Sequence, residues 1–301
     1  MTEGPAIFDR ALLRRRRRRA SALGPATFLL DRVADDLADR LAAVLRRFDL
    51  ALDLGTPGEA VRSALSRLGS VGTIVRAYSV LPSGAARAQK LVAADEEALP
   101  FGDGTLDLVV SALALQFIND LPGVLVQIRR ALKPDGLFLA ALLGGETLSE
   151  LRQSFAAAES EVEDGASPRV APFSDLRELG ALLQRAGFAL PVTDVDRVTV
   201  RYASAFDLMH DLRRMGATNA LSARRRTPLK RATLMRMAEI YAQRFADADG
   251  RVRATFEILW LSGWAPHPSQ QQPLKPGAAK ARLADALRTN EISAGEKAGG
   301  G

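Results

Sequence analysis

Asp53 closes the apolar run ALDL and leads directly into a glycine turn, LGTPG, that carries Gly55 and Gly58. A strand that ends in a carboxylate and a turn without side chains lets the backbone approach a ligand closely and aims amide groups at it. Such turns usually hold three glycines; here Thr56 and Pro57 intervene and Glu59 falls at the third place, so an ordinary strand-to-helix turn is the competing reading. The next apolar run, TIVRAYSV, ends where a nucleoside site normally offers a carboxylate to the ribose hydroxyls. Ala77, Tyr78 and Ser79 stand there instead. Tyr78 can stack or donate one hydrogen bond, but it cannot accept two as a carboxylate does. Losing that charge-assisted pair costs on the order of 1.5–3 kcal/mol, roughly ten- to a hundredfold in affinity.

The loop ADEEALPF adds Asp95 and Glu96. Asp95 can accept a hydrogen bond from an adenine amino group while Leu99 and Phe101 support the ring; a solvated acidic loop is the alternative. Further along, SALALQFINDLP brings Gln116, Phe117 and Asn119 to the end of another strand run, and GGETL brings Glu146 and Thr147 to the end of the next. Crevices at that edge of an open α/β sheet bind ligands generally. The expected ligand-binding set is therefore Asp53, Gly55, Gly58, Tyr78, Asp95, Glu96 and Phe117, and the expected reacting set is Gln116, Asn119 and Glu146.

These residues need a scaffold, and the apolar patterning supplies one. Strands are expected at 50–54, 73–80, 106–112 and 137–143, with helices between them, notably 122–132, which the turn KPDG ends before the next strand. Alternating strand and helix argue for a parallel sheet covered on both faces, a Rossmann-like doubly wound α/β fold. Residues 1–48 read as an N-terminal helical cap (IFDRALLRRRRRRASA, then FLLDRVADDLADRLAAVLRRF), 49–147 as the ligand-binding core, and 148–266 as an α+β extension that completes the domain. Within the extension, helices are expected over TLSELRQSFAAAESEV, SDLRELGALLQRAGF, AFDLMHDLRRMGA and KRATLMRMAEIYAQRFA, a strand pair around PVTDVDRVTVRYAS, and a strand over RVRATFEILWLSGWAP. The tail, 267–301, has a disordered composition.

With 301 residues and 47% hydrophobic content the chain can bury a full core, and it reads as a soluble globular protein. There is no cysteine and the histidines are His210 and His267, so disulfides and thiolate- or histidine-rich metal sites are excluded and no metal is expected. No apolar run approaches the roughly 20 residues that span a bilayer, and no apolar signal core follows Arg14–Arg19; a cytoplasmic location is expected, with peripheral contact at the inner membrane face left open. The net charge of +6 comes largely from arginines at 14–19, 213–214 and 224–226. Such clusters favour acidic partners, although a solvated helix face explains them equally. Aromatics at 6% with no stacking motif argue against nucleic acid.

Read in order, ALDLG, ADEEALPF, TLDLVVSALALQFINDLP, ALKPDG and GGETLSELR resemble the class I S-adenosylmethionine-dependent methyltransferases. From IFDRALL through SPRVAPFSDLRELGALLQRAGF and FDLMHDLRRMGATNAL to ATFEILWLSGW, the chain is similar to the methyltransferase-superfamily group containing the mitochondrial complex I assembly factor described as an arginine hydroxylase, with its alphaproteobacterial relatives. The resemblance implies S-adenosylmethionine as cofactor and a respiratory-complex subunit as protein substrate. LRRMGATNAL with KRATLMRMAEIYAQRF is also similar to malonyl-carrier-protein O-methyltransferases, which implies an acidic carrier protein as an alternative partner. Against the family pattern, Thr56 and Pro57 replace small and glycine residues, Tyr78 replaces the ribose carboxylate, and Gln116 stands where relatives often carry histidine. These departures keep a third possibility open, an assembly protein that has lost cofactor binding and catalysis.

Overall fold

The apolar runs become strands of one seven-stranded sheet: β1 (Phe48–Leu54), β2 (Val71–Tyr78), β3 (Leu91–Ala93), β4 (Leu106–Ala112), β5 (Leu132–Leu143), β6 (Ala189–Tyr202) and β7 (Val252–Trp264), in the order β3-β2-β1-β4-β5-β7-β6. This computed structural model describes residues 6–79, 90–163, 165–173, 175–271 and 289. Five strands, β1 to β5, are mutually parallel, and the chain order reverses between β1 and β4, which opens a crevice above their carboxyl ends. The sheet is mixed rather than wholly parallel. β7 runs antiparallel to both β5 and β6.

Eight α-helices are present among the described residues: α1 (Arg10–Ala22), α2 (Phe28–Ala42), α3 (Ala60–Ser66), α4 (Leu121–Ala131), α5 (Ser149–Glu163), α6 (Leu176–Arg185), α7 (Ala205–Arg214) and α8 (Arg231–Phe245), all but α1 packing on the two faces of the sheet. Strand side chains alternate between faces. Ala51, Leu108, Val110 and Leu139 therefore pack with α2, α3, α5, α7 and α8, while Leu52, Leu54, Val109 and Phe138 pack with α4 and α6. Leu29, Val33, Leu37 and Leu41 of α2 belong to the first of these cores, so the second helix of the N-terminal region is part of the main body. The chain divides into two units, Met1–Pro266 and His267–Gly301. In the second, the His267 ring and the Ser269 hydroxyl lie 2.6 Å apart in a short turn; the rest of the tail expected to be disordered lies outside the described residues, apart from Thr289.

Local details differ from the sequence expectations for identifiable reasons. β2 covers Val71–Tyr78, and Val80 lies outside the described residues. PVTDVDRVTVRYAS forms part of one long strand, not a strand pair. Its turn-like aspartates are tied down instead: Asp194 pairs with Arg40 (2.6 Å) and Asp196 with Arg32 (3.1 Å), both on α2, while β7 pairs with the strand from Ala189 to Tyr202. KPDG falls inside β5, where Asp135 takes a left-handed φ of 63° and the register against β4 shifts between Leu106 and Leu108. The three-residue β3 carries too little pattern to be read from sequence.

Leu37 is fully buried where α2 meets the sheet. Leu37→Ala should cost about 2–5 kcal/mol, the usual range for an incompletely collapsing core cavity. Urea unfolding measures it; a loss below about 0.5 kcal/mol, the scale of a surface change, would mean that α2 is peripheral.

Candidate functional site

A cavity of about 360 Å³ lies above the carboxyl ends of the first five strands, within the size range of small-molecule sites. Gly55 and Gly58 come from the turn after β1, Tyr78 from the end of β2, Glu96 from the loop after β3, and Gln116 and Phe117 from the loop after β4. Leu143 and Leu148 follow from β5, and the roof comes from α1, Phe173 and the end of α7. Leu113 (φ 51°) and Leu148 (φ 55°), both on this wall, hold a left-handed backbone that bulky side chains avoid. Strain of this kind concentrates where a wall must be shaped for a ligand.

The glycine turn is built to be tight. At Gly55 (φ 71°) the left-handed backbone favours glycine, and a Cβ would crowd the Glu96 Cγ at 3.1 Å and the Ala114 Cβ at 3.2 Å. Thr56 is fully buried, and its Oγ1 accepts the Ala112 amide at 2.9 Å, tying the turn to β4. Beneath the turn lies Arg76, 1% exposed, a cation in an otherwise apolar strand. Its guanidinium donates to the Glu59 carboxylate and the Gly58 carbonyl, and sits 4.7 Å from the Tyr78 ring centroid. Asp53 is the register partner of Arg76, with Nε 3.5 Å from its carboxylate, yet neither Asp53 oxygen makes a hydrogen bond of good geometry. Burial pushes the Asp53 carboxyl up to about 7, against the pull of Thr56 and Arg76.

Known proteins share this architecture. Residues 52–140 match the model of a methyltransferase domain. Over 303 residues the chain is 39% identical to the protein named arginine-hydroxylase NDUFAF5, mitochondrial, of Danio rerio, with 96% of this chain and 92% of that protein aligned. The chain belongs to the NDUFAF5 family. It is also 36% identical over 289 residues to malonyl-[acyl-carrier protein] O-methyltransferase of Laribacter hongkongensis, covering 90% of this chain and 92% of that one. A solved methyltransferase candidate from Bacillus halodurans C-125 superposes with a TM-score of 0.52 at 18% identity, covering 77% of this chain and 99% of that one, which shows the shared fold.

In this NDUFAF5-family chain, the residues singled out by sequence separate into two groups. Gly55, Gly58, Tyr78, Glu96, Gln116 and Phe117 line the cavity. Asp53 lies below it, and Asp95, Asn119 and Glu146 lie outside its wall. Asn119 clamps the start of the chain: its Oδ1 accepts the Phe8 amide (2.8 Å) and its Nδ2 donates to the Phe8 carbonyl (3.2 Å). Glu146 is exposed, and its amide donates to Glu257 (3.1 Å). Gln116 donates through Nε2 to the Leu113 carbonyl (2.9 Å) and leaves its buried Oε1 without a partner. Among the described residues no group of three or more His, Cys, Asp or Glu side chains is placed to hold a metal ion.

Part of the arginine run is not a solvated face. Arg10, Arg14 and Arg17 share one side of α1 and meet the acidic loop after β3: Arg10 pairs with Asp95, Glu96 and Glu97, Arg14 with Asp95 (2.6 Å), and Arg17 with Glu96 (3.6 Å) while its guanidinium lies 5.7 Å from the Phe117 ring centroid. Burial alone would push the Asp95 carboxyl up, but the Glu97 amide and the two arginines outweigh it and hold the group below the usual carboxylate range. Burial, reinforced by repulsion from Arg10 and Arg14, draws Arg17 below its usual value despite Glu96. Neither Arg76 nor this latch was picked out from the sequence. The signals were a cation inside TIVRAYSV, and arginines spaced 10, 14, 17 on a helix facing a run of three acids.

Two outcomes follow. Between 3.8, the ordinary carboxylate value, and about 7, the folded chain keeps a proton on Asp53 that the unfolded chain has released, so this group lowers stability as pH rises through that window. Asp53→Asn should therefore gain on the parent by on the order of a few kcal/mol between about pH 4 and about pH 7 in urea unfolding; a constant difference would mean that Asp53 stays ionised throughout. Arg10→Ala should weaken α1 docking by about 2 kcal/mol or more, because it strips a partner from the buried Glu96. Hydrogen exchange should speed up in α1 while β1 and β4 are unchanged; unaltered α1 exchange would show the latch to be energetically idle.

Proposed function

We propose that the chain binds S-adenosylmethionine in the cavity above β1 to β5 and modifies a side chain of a protein partner during assembly of respiratory complex I, acting in the cytoplasm. The observation that carries this is the convergence of the glycine turn, Tyr78, Glu96, Gln116 and Phe117 on one largely apolar cavity. The residues suit the cofactor: a backbone turn that a Cβ at Gly55 would crowd, an aromatic wall at Phe117, and an unsatisfied acceptor on Gln116. Asp53 and Asp95 support this wall from behind, the first through Arg76 and the second through α1.

When bound, S-adenosylmethionine supplies an electrophilic methyl group on a sulfonium. The chain's own contribution is alignment and exclusion of water. Leu143, Leu148, Phe173 and Phe256 provide apolar walls, and α1 lies over the open side. Gln116 lines the cavity, and once its amide turns inward from the Leu113 carbonyl its now enclosed Oε1 can accept an N–H from an incoming nitrogen-rich side chain. Asn119 and Glu146 serve from outside the cavity, Asn119 by holding the segment that leads into α1. Identity to the arginine-hydroxylase runs through the extension that roofs the site, which supports a shared class of protein substrate.

A second reading is favoured by Arg18 and Arg214 on the cavity wall. They could pair with a carboxylate carried by an acidic partner, as malonyl-carrier methylation would require. Isothermal titration with S-adenosylmethionine tests the common premise: micromolar affinity is expected, and no heat at millimolar ligand would leave only a non-catalytic assembly role.

A further inference from the structure

We infer that Glu59, the residue following the glycine turn, is the carboxylate that accepts the sugar hydroxyls of the adenosyl ligand, in place of the residue at the end of β2. The inference rests on the cavity being an S-adenosyl site. At the β2 end, Tyr78 directs its hydroxyl at the Gly58 carbonyl, 3.4 Å away, and offers no pair of acceptors. The charge behind that ring is positive. Arg76, fully enclosed beneath the turn, reaches past Tyr78 to the Gly58 carbonyl and to Glu59, so the charge behind this corner of the cavity fixes an anion at the start of α3.

Glu59 meets the requirements on the page. It lines the cavity together with Gly58 and Tyr78. Its position is that of the missing third glycine, and a Cβ on Gly58 before it would meet nothing within 4 Å, so the turn beside it is open. Arg76 holds one carboxylate oxygen and the Arg62 Nε the other at 2.7 Å. An ionised carboxylate offers about four acceptor sites, and with 45% of the side chain exposed the remaining ones are open to a ligand. Burial would raise its pKa, but Arg62 and Arg76 together hold it below the usual range and keep it ionised. Glu96 is the other carboxylate on the described cavity wall, and it is already committed: it takes the Ser79 hydroxyl at 2.9 Å, pairs with Arg10 and Arg17, and is 4% exposed.

The test titrates the full chain with S-adenosylhomocysteine and with its 2′,3′-dideoxyribose analogue, which lacks both donors. The parent should prefer the ribose form about tenfold or more. Glu59→Gln should lose most of that preference by weakening the ribose form while leaving the analogue within about twofold. Glu59→Gly combined with Tyr78→Asp, which restores a strand-end carboxylate, should recover it. Equal weakening of both ligands in Glu59→Gln, or no change in either, would overturn the assignment of Glu59 while leaving the cofactor reading intact. A parent chain that binds neither ligand at millimolar concentration would refute the cofactor reading itself, and the assignment with it.

Discussion

A thirteen-residue helix with six adjacent arginines has little reason to form on its own. Like charges one turn apart repel, and cations are unfavourable near a helix N-terminus. Of its apolar residues only Leu13 and Ala20 are buried. What holds α1 is the acidic loop after β3, which takes up the cations facing inward, aided by the Asp9 cap on the Leu12 amide (2.9 Å) and by the Asn119 clamp on Phe8. The cavity is a cavity only because this helix lies across it. The same loop supplies Glu96 to the wall, so a single electrostatic seam both closes the site and shapes it.

The second organising feature is Arg76. A buried guanidinium is costly unless its charge is answered; here its two terminal nitrogens bond Glu59 and the Gly58 carbonyl, Tyr78 stacks alongside, and Nε, 3.5 Å from Asp53, is left without a hydrogen bond. Three side chains around the glycine turn are therefore physically coupled: a cation on β2, an aromatic ring two residues later and a carboxylate at the start of α3. Tyr78 is thus held by its neighbours, stacked on Arg76 and directed at the Gly58 carbonyl, and it lines the crevice without closing it.

How much of this was legible in the sequence depended on the range of each interaction. β1, β4 and β5 showed as apolar runs because the sheet buries both of their faces. The turn at Gly55 was visible because its demand is local. Asn119 looked like a reacting group, since nothing near it in sequence reveals that its partner is Phe8, 111 residues away. Glu146 was placed on the right edge of the sheet, but its side chain faces outward, and one-residue differences in loop direction are beyond any periodicity. β6 showed its alternation, yet its partner β7 begins 50 residues after it ends, which no local signal conveys.

That last separation has a consequence for how the molecule is made. β5 lies between β4 and β7, and β7 is the last strand among the described residues. As the polypeptide emerges from the ribosome, the first five strands can pair while one side of β5 stays bare until residue 264 is released. For that interval the nascent chain presents an unpaired apolar edge, the kind of surface that chaperones recognise and that invites misassembly. Phe256, a wall of the pocket, arrives with the same strand, so the binding chamber is finished only once β7 has emerged.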